Sequence, residues 1–255
     1  MRKIPVSVFI ITQDEEKNIE RVLDSVKNFD EIVVVDSGSQ DRTVEIAKQK
    51  NAKVVFNAWE GFARQKQFAM ELCKNEWVFN LDADEEMTDS VFNEIKKIIQ
   101  QDEFSSARFF RNDILIGKKM PVFMRLPNHV RLYKKSMAAF EPEDLVHETA
   151  KVSGKEKQVK TDFMHYGYDA IDVLIDKNNS YSSLKAQEKF KKNKSPSLLK
   201  LVTIVPLEFI RKFFFQRYFL YGLRGVILAM VNANYAFLKE AKLFELHMRS
   251  KNNKK

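Results

Sequence analysis

Asp82 and Asp84 stand one residue apart in the stretch Phe-Asn-Leu-Asp-Ala-Asp-Glu-Glu, from Phe79 to Glu86. The apolar run before them, Trp77-Val78-Phe79, has the composition of a buried strand. Two carboxylates at i and i+2, just past a strand end, can both reach one point above it. A hard divalent cation, Mg²⁺ or Mn²⁺, suits that point, because it takes several oxygen ligands and leaves positions for phosphate oxygens. Acidic residues also begin helices, and Thr88-Asp89 could do no more than that. An Asp-x-Asp pair alone is weak evidence.

Other polar groups lie at comparable places. Thr12 to Glu15 follows one apolar run, and Asp36 to Thr43 follows another, EIVVVD. Asp36 at a strand end can accept hydrogen bonds from a nucleoside, with Gly38 letting backbone approach closely. Ser39 or Asp41 would also cap the helix that begins at Thr43. Arg64 and Lys66, near the start of a helix, could place cations on a diphosphate, or form a solvated face. A group transfer to a hydroxyl further needs a general base within hydrogen-bond reach of it. Glu143, Asp144 and Glu148 are the candidates, set beside apolar Leu145 and Val146, where partial burial raises a carboxyl pKa toward neutrality. His147 and His165 are two of only 4 histidines. A lone histidine is more often a hydrogen-bonded structural residue than a ligand. Arg131 would steady an acceptor loop or its phosphates, or be a plain strand-edge charge.

The elements that must position these groups alternate. Strands are expected at Ile4 to Ile11, Glu31 to Asp36, Ala52 to Asn57 and Glu76 to Leu81. Helices are expected at Lys17 to Val26, Thr43 to Lys50 and Gly61 to Cys73. Such alternation implies βαβ units and a parallel sheet, an α/β fold, with ligands bound beyond the carboxyl ends of the strands. Neither GxGxxG nor GxxxxGK[ST] is present, so no dinucleotide fingerprint or P-loop explains the clusters. Ser106 to Ile116 and His129 to Tyr133 also have strand-like composition.

Taken in order, VSVFIITQDEEKNI, IVVVDSGSQDRT, GFARQKQFAM and WVFNLDADEEMT resemble the successive motifs of the inverting glycosyltransferases of family 2, which have the GT-A fold. The resemblance spans residues 4 to 168 and is nearest to the bacterial lipopolysaccharide-core type, which adds a hexose, usually glucose, to an inner-core heptose. It implies that Thr12, Glu15 and Asp36 hold base and ribose, that Arg64 contacts the diphosphate, and that Asp84 binds the metal with Asp82 on the sugar-nucleotide. It favours Glu148, in Val-His-Glu, as the base, with Asp144 second. It returns His165 to the metal and diphosphate and leaves His147 a supporting role. Asp14 departs from the pattern, which usually has Asn there. The implied partners are a UDP-sugar donor and a lipid-linked, phosphorylated saccharide acceptor. A nucleotidyltransferase is the alternative enzyme, but it would carry a Gly-rich basic loop where this chain has Thr-Gln-Asp-Glu-Glu.

Composition bounds the rest. At 255 residues, 44% hydrophobic and 31% charged, with 7 Gly and 6 Pro, the chain is globular in type. The single cysteine, Cys73, excludes an intramolecular disulfide and fits a reducing compartment. The apolar run near the start is too short, and too soon followed by Gln13-Asp14-Glu15-Glu16, for a signal peptide. A cytoplasmic protein is expected, working at the cytoplasmic face of the inner membrane.

The net charge of +8 is uneven: residues 189–255 hold 15 Lys and Arg against 3 acidic residues. The expected division is a GT-A catalytic domain over 1–170, with a donor half (1–100) and an acceptor half (101–170), then a basic, aromatic helical tail over 171–255. A helix carrying Lys177 and Tyr181 should end near Ser195-Pro196. Phe213-Phe214-Phe215 beside Arg211, Lys212 and Arg217 suits an interfacial helix on anionic lipid, or one packed on the catalytic domain. Leu220, Leu223, Ile227, Met230, Phe237, Ala241, Phe244 and Met248 form a heptad-like seam through which an oligomer could pair, or which could pack on the protein's own core. Nucleic acid would need basic and aromatic residues interleaved on an exposed platform, whereas the Phe residues here follow helical apolar spacing.

Overall fold

The computed structural model describes residues 3–121, 123–124, 126–141, 149–168 and 170–252. The chain forms two compact units, Met1–Asp113 with Pro127–Gly167, and Ile114–Leu126 with Tyr168–Lys255.

The first unit begins as the apolar runs dictate. Strands β1 (Ile4–Thr12), β2 (Phe29–Asp36), β3 (Lys53–Phe56) and β4 (Trp77–Asn80) alternate with helices α1 (Ile19–Ser25), α2 (Thr43–Gln49) and α3 (Phe62–Glu71). β1 pairs in parallel with β2 and β4, and β2 with β3. Then come the two-residue strand β5 (Glu85–Glu86), helix α4 (Asp89–Gln101), the strand β6 (Ser106–Leu115), β7 (Lys118–Lys119) and β8 (Asn128–Lys134). The short strands β9 (Ala138–Ala139) and β10 (Lys151–Val152) pair with each other, and β11 (Glu156–Tyr168) follows. The main sheet runs β3-β2-β1-β4-β8-β6-β11-β5. β8 lies antiparallel to β4, and β5 antiparallel to β11.

Alternation along β1 feeds two cores. Val6, Val8 and Ile10 pack with Ile19, Val22 and Leu23 of α1 and Val91, Ile95 and Ile98 of α4. Phe9 and Ile11 pack with Ala63, Ala69 and Met70 of α3. Cys73 belongs to this second core, as expected of a small buried residue. A strand covered on both faces reads as a nearly continuous apolar run, which is why β1, β2 and β4 are conspicuous.

The second unit is a β6–β7 hairpin end (Ile114↔Lys119, Leu115↔Lys118) and helices. These are α5 (Ile171–Lys191), α6 (Leu198–Ile210), a π-helical turn (Arg211–Phe215), a 3₁₀ turn (Tyr218–Tyr221) and α7 (Leu223–Asn252). α5 and α6 both pack on α7. Lys189 pairs with the buried Glu240, and Lys242 Nζ donates to Asn179 O at 2.6 Å and Ser182 Oγ at 2.8 Å. The face of α7 that is buried differs from the expected seam. It consists of Gly225, Leu228, Ala229, Ala233, Ala236, Glu240 and Leu243. Gly225 lets the first turn of α7 lie against the preceding 3₁₀ turn, since a Cβ there would lie 1.8 Å from Tyr218 O. Leu223, Met230, Phe244 and Met248 of the expected seam are exposed.

Candidate active site

The loops after β1 and β2 are clasped together. Thr12 pairs with Asp36 in the sheet, and Ser37 N donates to Thr12 O at 3.0 Å. Asp36 accepts from Gly38 N at 2.9 Å and from Ser39 N at 3.1 Å, an arrangement made possible by Gly38 at φ +106°. Asp14 sits at φ +54°, donates its N–H to Ser39 Oγ at 2.9 Å and accepts from Gln40 N at 2.7 Å. An Asn at 14 could accept that bond through its own side-chain oxygen, so Asp14 keeps the bonding despite the departure in residue type. Glu15 N donates to Thr43 Oγ1 at 2.8 Å, and Glu15 Oε2 accepts from Asn18 Nδ2 at 2.8 Å. Thr12 Oγ1, although buried, has no hydrogen-bond partner among the described residues.

At the end of β4 two cations hold Asp82. Its Oδ1 lies 3.0 Å from Lys66 Nζ and its Oδ2 2.9 Å from Arg131 Nη2. The register of β8 on β4, Phe79 opposite Leu132, sets Arg131 beside Asn80, whose Oδ1 accepts from Arg131 Nη1 at 3.1 Å. Arg131 Nη2 also reaches Glu85 Oε1 at 2.6 Å, and its guanidinium lies over Phe163, 5.2 Å from the ring centre. Burial alone would raise the Asp82 pKa, but Arg131 and Lys66 overcome it and hold the carboxylate well below its usual range. Glu85 goes the other way: burial pushes it up to about 7, against the pull of Arg131. Gln65 is fully buried nearby in sequence to Lys66, donating to Ser37 Oγ at 2.9 Å and Asn57 O at 2.8 Å. It ties α3 to the loops after β2 and β3.

The third cluster is made by the smallest strand. β5 pairs with β11, Glu85 opposite His165 and Glu86 opposite Met164, and Tyr166 N donates to Asp84 O at 2.8 Å. This lays Asp84 against His165: Asp84 Oδ2 is 3.2 Å from His165 Nε2. Asp113 Oδ1 lies 2.8 Å from His165 Nδ1 and 2.9 Å from Arg111 Nε. Burial would depress the imidazole pKa, but Asp84 and Asp113 push it up to about 9. Arg111 and His165 overcome burial to keep Asp113 low. Gly167 is required here, since a Cβ would lie 2.6 Å from His165 Nε2 and 2.7 Å from Asp84 Oδ2.

This cluster fits a divalent cation. A carboxylate on Nδ1 leaves Nε2 as the ligand atom and fixes the tautomer, the usual support of a metal-bound histidine. The absence of a Cβ at Gly167 lets both side-chain atoms lie close against the backbone there. No set of three or more His, Cys, Asp or Glu that could hold a metal occurs among the described residues.

Of the residues expected from sequence, Thr12, Glu15 and Asp36 lie together on the clasped loops, and Asp84 meets His165. Lys66 is buried on Asp82. Arg64 is exposed, with Nη1 3.3 Å from Glu60 Oε2. Glu143, Asp144, His147 and Glu148 lie outside the described residues. Sequence reading missed Asp113, Gln65, Glu85 and Gly167. Asn112-Asp113 was the available signal: two polar residues interrupt an otherwise strand-like run, and both are buried.

A mixed α/β sheet, parallel over β1–β4 and antiparallel beyond β4, with a carboxylate cluster beyond its strand ends, describes a nucleotide-sugar-transferase type of fold. Residues 7–148 match Glycosyl transferase family 2. A glycosyltransferase of Rickettsia typhi is 37% identical over 265 residues, covering 99% of this chain and 90% of that protein. The lipopolysaccharide core biosynthesis glycosyltransferase LpsC of Rhizobium meliloti is 33% identical over 253 residues, covering 96% and 94%. The crystal structure of S. aureus TarS aligns with a TM-score of 0.51 at 16% identity, over 93% of this chain and 55% of that one, a likeness of fold. The chain belongs to glycosyltransferase family 2: it is a glycosyltransferase with the GT-A fold and a C-terminal helical extension. That membership removes the nucleotidyltransferase alternative.

Proposed function

We propose that this glycosyltransferase moves a hexose, glucose by the resemblance of its motifs, from a UDP-sugar to a lipopolysaccharide core saccharide with inversion at the anomeric carbon. The observation that carries the proposal is the approach of Asp84 to His165, 3.2 Å apart, with Asp84 following β4 at the same carboxyl end of the parallel strands as Thr12 and Asp36. Thr12, Glu15 and Asp36 would hold base and ribose, and Thr12 Oγ1 is a buried group in want of a partner. Asp84 and His165 would hold Mg²⁺ or Mn²⁺, which supplies charge neutralisation for the departing diphosphate. Arg64, its guanidinium in solvent, is available to the same phosphates. Lys66 and Arg131 fix Asp82 as a carboxylate facing the sugar-nucleotide. Glu148, with Asp144 second, would take the proton of the acceptor hydroxyl as its oxygen attacks.

The acceptor is read from LpsC, whose name places it in lipopolysaccharide core biosynthesis. Such an acceptor is lipid-linked and would be met at the cytoplasmic face of the inner membrane, with the basic residues of 171–255 near anionic lipid. The exposed Met230, Phe244 and Met248 of α7 support a further proposal, a homo-oligomer through the C-terminal helices. Residues 1–170 would then be the catalytic domain.

The test is a screen of UDP- and GDP-sugars for hydrolysis and transfer with Mg²⁺ or Mn²⁺. UDP-glucose should be turned over, and Asp84→Ala should reduce turnover to background. Glu148→Gln should bind nucleotide normally and fail to transfer. Full activity in Glu148→Gln would move the base to Asp144, and full activity in Asp84→Ala would end the metal assignment.

A further inference from the structure

Helix α6 is a 13-residue helix with no buried residue. Its sequence, LLKLVTIVPLEFI, is nevertheless almost entirely apolar. Leu199, Val202, Pro206 and Ile210 recur at steps of three and four and so share one side, with Leu198 and Leu207 flanking them. Leu198, Leu199 and Val202 are 78%, 73% and 70% exposed. The stripe continues into the π-helical turn, where Phe215 is 71% exposed. α6 does pack on α7, but by its other side. An exposed apolar surface continuous over a helix and the turn beyond it is uncommon in a soluble protein and marks an interaction surface.

Charge identifies what covers it. Residues 198–224 hold 5 Lys and Arg and one acidic residue, Glu208, which is already paired with Arg211. At 100° per residue, Lys200 and Arg211 fall next to Leu207 along one border of the apolar stripe. Arg217 is exposed just past it. A second protein surface would need to offer acids at matching points, whereas a bilayer rich in anionic headgroups offers them everywhere. Apolar and aromatic side chains on one side with cations at the rim are the composition of a helix lying in a bilayer interface. α6 is about 20 Å long at the rise of an α-helix, and no described helix is long and apolar enough to cross a membrane.

We propose that the exposed side of α6 and the Phe214–Phe215 turn dock this unit on an anionic lipid bilayer surface, with the apolar stripe entering the headgroup–acyl boundary and Lys200, Arg211 and Arg217 on the headgroup phosphates. The inference deepens the membrane part of the proposed function, and it is read by binding alone, so its failure leaves sugar transfer untouched.

The experiment is flotation of the full chain with vesicles of phosphatidylethanolamine and phosphatidylglycerol (3:1), and with vesicles of phosphatidylcholine alone. Wild-type protein should partition onto the anionic vesicles about tenfold more strongly. Val202→Glu/Leu207→Glu should lower that partition by about tenfold or more. Lys200→Gln/Arg217→Gln, which leaves the apolar stripe intact, should remove most of the preference for anionic over neutral vesicles. Circular dichroism melting and UDP binding check that each variant is folded. Wild-type failure to float with anionic vesicles overturns the proposal, and so does unchanged flotation of both variants. A wild-type dimer that Val202→Glu/Leu207→Glu turns into a monomer, with no vesicle binding by either, assigns the surface to a second copy instead and also overturns it.

Discussion

Lys66, Glu85 and Arg131 in the first unit are ionisable side chains withdrawn from water around the half-buried Asp82, while Leu198, Leu199, Val202 and Phe215 in the second are apolar side chains left in it. Each arrangement is unfavourable for folding taken alone. Removing ions from water costs several kcal/mol per ion, recovered only by good pairing, and leaving a Leu exposed forgoes roughly 1.5–3 kcal/mol of burial. The two departures have different remedies. The buried charges are paired within the protein, by Arg131 bridging Asn80, Asp82 and Glu85. The exposed stripe has no counterpart to that network among the described residues. On the proposals made above, the buried charge would preorganise a site and the exposed apolar surface would serve recruitment.

This contrast can be broken most severely at Arg131. Arg131→Met leaves the buried Glu85 without its cation and Asp82 with Lys66 alone, and should destabilise the protein by about 3–5 kcal/mol in urea denaturation. A loss under 1 kcal/mol would mean that the network is not structural. Asp113→Asn should act more locally. It weakens the support of His165 Nδ1 and should reduce Mn²⁺ affinity by about 10–100-fold, measured by calorimetry, with little change in UDP affinity without metal.

The His165 charge sets a pH dependence. Its folded pKa, about 9 in the metal-free protein, is raised above the ordinary histidine value. The sign follows: its stabilisation is fully present below the ordinary histidine pKa of about 6.5 and is lost as pH rises through about 9. Metal-free melting temperature should therefore fall over that window in wild type more than in His165→Gln. Mn²⁺ affinity should rise over the same window, since the proton on Nε2 must leave for the metal. The smallest effect is expected in the second unit: Val202→Glu should change stability by no more than about 0.5 kcal/mol. A large destabilisation there would show that the stripe is covered within the protein.

The parts legible in the sequence are those that depend on local pattern. β1, β2 and β4 are buried on both faces and read as apolar runs, so the carboxylates at their ends stand out. β5 is only two residues, too short for any periodicity, yet its pairing with β11 is what brings Asp84 to His165. β11 itself is masked by Gln158, Lys160 and Asp162 on its wetter side, and only its partner strands define it. The position of Arg131 beside Asn80 depends on β4–β8 register, a long-range property that no window of sequence contains. In α7 the large residues drew a seam at heptad spacing, but packing selected Gly225, Ala229, Ala233 and Ala236, because close approach of helices rewards small side chains. Glu148 and Asp144, proposed as the base, lie outside the described residues.

The central claim is that Asp84 and His165 form the metal end of a nucleotide-diphosphate site. Titration of UDP into wild type and Asp84→Ala, each with and without Mn²⁺, tests it most directly. Mn²⁺ should tighten UDP binding to wild type by about tenfold or more, and that coupling should vanish in Asp84→Ala while metal-free UDP affinity is retained. Equal coupling in the two proteins would contradict the account.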